Sequence, residues 1–202
     1  MNQFTFTNKE KRFSIALMIV GVVAIVWGFF TGEHSEARTW TNILHNTVFF
    51  TGIAFIATSV MMAFILAYAG WYVLFKRVWE AFSQFLIVGM ILMIPIVAGV
   101  WLGWHHIYHW ADFYFHPEAD PILAGKSGFI NPVWYTFATF GLVGIWYYFA
   151  VRYRKLSLEE DKHGTTAYNY HKKQKVTAGI FLPIAAFSSA AVIWQWLMSI
   201  DA

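Results

Sequence analysis

The chain has 202 residues and a net charge of +3, and 58% of its residues are hydrophobic, 20% aromatic and only 12% charged. Because an average soluble domain has about 25% charged residues, a soluble fold of this size could not cover so much apolar surface. The composition excludes a water-soluble enzyme, a disordered chain and a coiled coil, and it predicts an integral membrane protein. The absence of cysteine excludes disulfides, iron–sulfur clusters, thiolate zinc sites and c-type haem.

Five uncharged runs are long enough to cross a membrane, since a spanning helix needs about 20 mostly apolar residues. None of them alternates between apolar and polar residues as the strands of a membrane barrel do. We therefore predict an all-α polytopic membrane protein, in which residues 1–202 form a single domain with five transmembrane helices in a bundle. The predicted spans cover about residues 13–30, 44–75, 81–108, 130–151 and 176–198.

The first run has a second interpretation as a secretory signal peptide. It follows the basic segment Lys9–Arg12, and Ser35–Ala37 resembles a small-residue cleavage site. However, the run is longer than the usual hydrophobic region of a signal peptide, and the cleavage-like residues lie well beyond its end. The sequence therefore favours an uncleaved transmembrane helix.

The distribution of basic residues predicts the orientation. The N-terminal tail, the second loop and the fourth loop together contain twelve lysines and arginines, whereas the first and third loops contain two. By the positive-inside rule, the N-terminus is cytoplasmic. The positive net charge is therefore a sign of topology and does not indicate nucleic-acid binding.

The two longest connections have their own patterns. The fourth, residues 156–175, contains Ser157 and Glu160 at the spacing of a capping box, followed by Gly164. It is either a solvated basic loop or a docking segment for a partner or an anionic lipid. The third, residues 113–126, contains Pro117 and Pro121 and is predicted not to form one continuous helix.

Histidines are concentrated near the predicted outer side. On a continuous helix, residues at i, i+3, i+4 and i+7 share one face, and His105, Tyr108, His109 and Asp112 have this spacing. The histidines on this side are His34, His45, His105, His106, His109 and His116.

These histidines allow two cofactor interpretations. His105 and His109, four residues apart, could bind one metal ion, but without a nearby third ligand we predict no metal site. His45 with His105 or His109 could supply the two axial ligands of a b-type haem. Against haem, His45 lies close to the predicted headgroup region, between Asn42 and Asn46.

Two further interpretations need no cofactor. Histidines beside interfacial tryptophans can be ordinary belt residues, or they can carry protons, because histidine titrates near physiological pH. No charged residue lies in the middle of any predicted span, so the sequence indicates at most a half-channel that opens to the outer side. The proton-path candidates are His45, Thr51, Thr58, Ser83, Gln84, His105, Tyr108, His109 and Asp112.

Three stretches carry a resemblance to a known family. They are residues 104–110, with the sequence WHHIYHW, residues 119–132, with ADPILAGKSGFINP, and residues 152–161, with RYRKLSLEED. In these stretches the chain resembles the ActF membrane protein of bacterial alternative complex III, a quinol:electron-acceptor oxidoreductase. The ActF family is related to the NrfD/PsrC-type polytopic proteins.

The resemblance implies a respiratory-chain subunit in the bacterial inner membrane, acting as a scaffold and proton conduit beside a quinol-binding subunit. It implies that quinol, iron–sulfur clusters and haem belong to partner subunits and that this chain binds no cofactor. The family has about ten spans, so residues 1–202 would correspond to its N-terminal half. The alternatives are a membrane b-type cytochrome and a small secondary transporter, and the lack of charge at mid-membrane argues against the transporter.

Overall fold

A computed structural model describes residues 7–31, 35–115, 121–164 and 168–201. Within these ranges all regular structure is helical, which confirms the predicted all-α class. His34 and His116 lie outside the described residues.

The first half of the chain forms long helices joined by short connections. α1 begins with a capping box in which the Thr7 hydroxyl accepts from the Glu10 amide and the Glu10 carboxylate accepts from the Thr7 amide. A short 3₁₀ helix, Gly70–Leu74, connects α2 to α3, and Gln84 connects α3 to α4. The helices are α1 Asn8–Phe30, α2 Ser35–Leu66, α3 Lys76–Ser83 and α4 Phe85–Leu102.

The second half contains two long helical segments that each include a π-helical stretch. The first continues from α7 through Phe137–Leu142 into α8, and the second continues from α9 through Trp194–Met198. The α-helices here are α5 His109–Phe115, α6 Pro121–Lys126, α7 Pro132–Thr136, α8 Val143–His163 and α9 Tyr168–Ile193.

α2 is the central helix of the bundle and packs against α1, α3, α4 and α9, while α8 packs against α9 and α4. The buried residues of α2 recur at helical spacing and include both threonines and apolar side chains. They are Thr39, Leu44, Thr47, Thr51, Ala54, Thr58, Met61, Met62 and Ile65. α1, in contrast, has no buried residue and lies at the edge of the bundle.

Four helical segments of the described chain are long and apolar enough to cross a membrane. They are Asn8–Phe30, Ser35–Leu66, Lys76–Leu102 and Tyr168–Met198. The predicted fourth span, residues 130–151, falls in the continuous helical segment formed by α7, the π-helical stretch and α8. That segment is rich in Trp and Tyr, which are less hydrophobic than aliphatic residues, and its second half is charged. The count of five spans and the orientation stay predictions.

The prediction that the third span reaches residue 108 is wrong. α4 ends at Leu102 because Gly103 adopts a left-handed backbone conformation, with φ of +67°, and donates its amide to the Gly99 carbonyl. The chain leaves the helix there, and α5 begins only at His109. The common helical face predicted for His105, Tyr108, His109 and Asp112 is therefore also wrong.

The capping box predicted at Ser157 and Glu160 is wrong, because both residues lie inside α8. Residues 154–160 are mostly good helix formers, so α8 continues to His163 and ends at Gly164, whose φ is +55°. The segment 156–175 is accordingly mostly helix. Of the two prolines in the third connection, Pro121 begins α6, and Pro117 lies outside the described residues.

A close approach between α2 and α4 provides a test of the packing. A Cβ atom on Gly89 would collide with the Thr51 hydroxyl, and it would also lie 3.1 Å from Thr51 Cβ. We expect Gly89→Ala to lower the free energy of unfolding in detergent by about 1–3 kcal/mol, because overpacking forces the helices apart.

The control is Gly179→Ala in α9, where nothing lies within 4 Å of the added Cβ. This change should be neutral or slightly stabilising, because alanine favours helix. The double variant Thr51→Ala/Gly89→Ala should recover part of the loss. Equal stability of Gly89→Ala and the unaltered protein would contradict the close approach.

Candidate functional site

The bundle has buried polar side chains at both of its ends. At the predicted outer end, a cavity of about 640 Å³ opens beside His105, and we call it the histidine cavity. Its lining residues are Ser35, Glu36, Ala37, Trp40, Thr41, Trp104, His105, His106, Ile107 and Ile200. At the opposite end, charged side chains of α3 and α8 and one neutral amide of α9 form what we call the charged cluster. It consists of Lys76, Arg77, Glu80, Glu160, Asp161 and the amide Gln174.

His105 is the buried titratable group of the histidine cavity, and it is only 6% exposed. Its Nε2 lies 2.9 Å from the Ile96 carbonyl oxygen. Because a carbonyl can only accept, Nε2 carries the proton and donates it to this hydrogen bond. Nδ1 is buried and has no hydrogen-bond partner in the described part of the chain. A neutral His105 therefore has a free acceptor nitrogen beside an open cavity.

The position of His105 depends on the chain having left the helix. The imidazole packs against Trp40, with 5.2 Å between the ring centroids. It also lies directly against α4 at Gly99, where a Cβ atom would collide with the ring. The missing side chain of Gly99 thus provides the space that the imidazole occupies. The left-handed turn at Gly103 brings the ring back to that space.

Tyr108, three residues after His105, belongs to a network of buried hydrogen bonds. Tyr108 donates its hydroxyl proton to the Trp196 carbonyl at 3.0 Å, so the Tyr135 hydroxyl, 3.0 Å away, donates to Tyr108. Trp196 in turn donates its Nε1 proton to the Thr139 hydroxyl at 2.9 Å. Thr139 and Trp196 belong to the two π-helical stretches, so this bond joins the two irregular segments, and such segments occur often at functional sites.

The structure separates the residues that the sequence placed together. His105 and Tyr108 are both buried, with ring centroids 6.4 Å apart. His109 is exposed, and Asp112 is exposed and lies 3.1 Å from His106. Of the remaining candidates, Thr51, Thr58 and Ser83 are buried, Gln84 is half-buried and His45 is exposed.

The geometry also bears on the two cofactor interpretations. Among the described residues, no three His, Asp or Glu side chains are grouped closely enough to hold a metal ion. His45 is exposed on the outside of α2 and does not line the histidine cavity. Ligation of haem through Nε2 of His105 would require the ring to give up its hydrogen bond to Ile96.

The charged cluster is a site that the sequence interpretation missed. Lys76 donates to Glu160 at 3.0 Å and to the side-chain oxygen of Gln174 at 3.1 Å. Gln174 closes the triangle by donating to the same Glu160 oxygen at 2.7 Å. The Lys76 side chain is 8% exposed and that of Glu160 is 24% exposed, so the ion pair is largely removed from water.

Arg77 forms the other half of the charged cluster. It pairs with Glu80 in α3 and with Asp161 in α8, and it donates to the Ser157 carbonyl at 3.3 Å. Glu80 is 1% exposed, and its second oxygen has no hydrogen-bond partner in the described chain. The sequence contains one signal that could have indicated this cluster. Opposite charges follow the second and fourth predicted spans, on the same predicted side of the membrane.

The ionisation of Glu160 follows from its neighbours. Burial alone would raise the pKa of this carboxyl, but the hydrogen bonds from Gln174 and Lys76, with the charge of Lys76, hold the pKa below its ordinary value. Because the folded pKa is lower than the unfolded one, the carboxylate stabilises the fold at neutral pH. This contribution is lost as the pH falls below about 4.5 and through the lowered pKa.

Comparison with known proteins gives no family for this chain: no family model matches it, and no curated protein is significantly similar to it. The resemblance to the ActF protein of alternative complex III therefore stays a prediction that depends on the three stretches quoted above.

We expect Glu160→Gln to lower the free energy of unfolding at neutral pH by about 1–3 kcal/mol, because the substitution leaves Lys76 without a countercharge in a mostly buried position. Glu159→Gln is the matched control, because its partner Lys162 is exposed and an exposed ion pair contributes about 0–1 kcal/mol. Chemical denaturation of the full chain in detergent, repeated between pH 3 and 7, measures both effects. A loss for Glu160→Gln no larger than for Glu159→Gln would contradict the role of the charged cluster.

Proposed function

We propose that this chain is an integral membrane subunit of a respiratory quinol-oxidising complex, in which it acts as a scaffold and carries protons through a half-channel that opens at the histidine cavity. In this proposal, electron transfer takes place on partner subunits that hold quinol, iron–sulfur clusters and haem. The complex would lie in the bacterial inner membrane, with the histidine cavity on the outer side. The proposal does not assign a catalytic residue to this chain.

The observation that supports the half-channel is the environment of His105. A buried imidazole with one nitrogen bound and the other unpartnered can take up a proton on Nδ1 and release one from Nε2. The imidazole is also one of the lining residues of the histidine cavity, which opens at the predicted outer end. An ordinary belt histidine would be exposed at the surface, as His109 is.

The interior of the bundle supports a half-channel more than a continuous path. The buried hydroxyls of Thr47, Thr51 and Thr58 follow one face of α2 inward from the cavity. However, Gly89 of α4 lies in direct contact with the Thr51 side chain, so the two helices close against each other at this level. A proton that enters at His105 would therefore leave sideways, toward a partner or a further segment, and would not cross between α2 and α4.

The subunit assignment is supported by the three resembling stretches and by the surface of the chain. α1 exposes apolar side chains from Phe13 to Phe30, which suits contact with lipid or with other spanning helices. A scaffold within a larger membrane complex needs such surfaces.

Purification of the tagged full chain from native membranes in mild detergent tests the assignment. We expect redox-active partners to co-purify with the chain, detected as haem absorbance and quinol-oxidising activity in the same chromatographic peak. The control is an unrelated tagged polytopic protein from the same membranes. A monodisperse chain without redox-active partners would contradict the subunit assignment.

Substitution of His105 in that complex tests the half-channel. We expect His105→Leu to lower the number of protons translocated per quinol oxidised, because the substitution removes the only described buried imidazole of the histidine cavity, whereas His109→Leu should leave the ratio unchanged. Proton release from reconstituted vesicles and quinol oxidation, measured together, give the ratio. Normal assembly must be shown by co-purification, and an unchanged ratio in assembled His105→Leu complex would rule out the half-channel.

A further inference from the structure

A groove lined by cations lies between α8 and α9 at the basic end of the bundle. It has a volume of about 310 Å³, and its lining residues are Arg152, Asn169, Lys172, Lys173 and Val176. No carboxylate is among these described residues. The groove is separate from the charged cluster, in which each cation is paired with an acid.

The cations of the groove are not neutralised by ion pairs within the described chain. Arg152 donates to the neutral hydroxyl of Tyr148 at 3.1 Å, and Lys173 lies 5.5 Å from the centroid of the Tyr170 ring. Both contacts hold the side chains without cancelling their charge. Three positive charges therefore converge on one groove, and Asn169 adds amide donors.

Apolar side chains continue from the groove toward the middle of the bundle. On α9, Val176, Ile180 and Phe187 are 56%, 53% and 82% exposed, and their spacing places them on one face of the helix. On the neighbouring helix α8, Tyr148 and Ile145 are 55% and 38% exposed, one and two turns from Arg152. The groove thus lies at the end of an exposed apolar strip formed by two adjacent helices.

We propose that this groove binds the phosphate headgroup of an anionic phospholipid, whose acyl chains lie along the apolar strip of α8 and α9. The phosphate oxygens would accept from Arg152, Lys172 and Lys173, and Asn169 would donate to the glycerol or phosphate oxygens. Basic pockets between helices on the cytoplasmic side of membrane proteins are typical sites for anionic headgroups. The charge pattern therefore distinguishes a bound lipid from the general lipid layer around the bundle.

The observations favour a lipid over a free phosphate or a protein partner. A free phosphate would use the cations but not the apolar strip. A soluble acidic partner could likewise reach the cations, but it could not contact the apolar strip, which faces lipid chains in a membrane-inserted chain. The proposal rests on the proposed insertion into a membrane, which is tested separately by whether the chain resists extraction from membranes by alkaline carbonate.

Titration of the purified full chain in detergent with phosphatidylglycerol, followed by native mass spectrometry, measures the first binding step. We expect the triple variant Arg152→Gln/Lys172→Gln/Lys173→Gln to weaken this step by at least about tenfold, because each cation near an anionic headgroup contributes roughly fivefold. The matched control is Lys9→Gln/Lys11→Gln/Arg12→Gln at the start of α1, which removes the same charge from exposed positions on the same predicted side.

Phosphatidylcholine and inorganic phosphate are the control ligands, which test the need for a net negative headgroup and for the acyl chains. The unaltered chain should bind phosphatidylglycerol more tightly than phosphatidylcholine, and millimolar phosphate should not displace the lipid. An equal loss in the two triple variants would overturn the site, because general charge attraction would then explain binding. Displacement by phosphate would also overturn it, since the ligand would then be the free ion. Failure of this test in a chain that resists carbonate extraction leaves the membrane assignment and the proposed function unaffected.

Discussion

The ion pair between Lys76 and Glu160, with Gln174 bonded to both, is the interaction on which the basic end of the bundle depends. A buried charge without a partner costs several kcal/mol, so Lys76 can be buried only where an acid meets it. This requirement fixes the start of α3 against the last turn of α8 and the first turns of α9. Arg77 reinforces the same junction through Asp161.

The two ends of the bundle differ in their backbone structure and in how their polar groups are paired. At the basic end, most polar groups of the charged cluster are paired, which makes this end a rigid junction between three helices. At the histidine end, two π-helical stretches replace regular helix, and an open cavity lies beside a buried imidazole with one free nitrogen. The basic end also has an unpartnered Glu80 oxygen and an adjoining cavity, so the irregular backbone is the feature that separates the two ends most clearly. In the proposed function, the junction holds the helices in place while the open end handles protons.

The sequence predicted the class of fold better than the geometry of the site. Long uncharged runs indicated the helices, because hydrophobicity over about 20 residues is a local property. His105 and Tyr108 were among the proton-path candidates, and both are buried. Their grouping with His109 and Asp112 was wrong because it assumed a continuous helix past Gly103. The charged cluster was missed because its members lie far apart in the chain, with Lys76 and Glu160 separated by 84 positions.

By itself, the sequence determined that the chain is apolar enough for a membrane and that its described parts are helical, because both follow from composition and from the length of uncharged runs. Only the tertiary structure decided which histidine is buried and which charges are paired. The burial of His105 depends on the left-handed turn at Gly103, the missing side chain of Gly99 and the Trp40 ring from another helix. These three contributions exist only once the helices are packed. His109, an identical side chain four residues away, lacks them and is exposed.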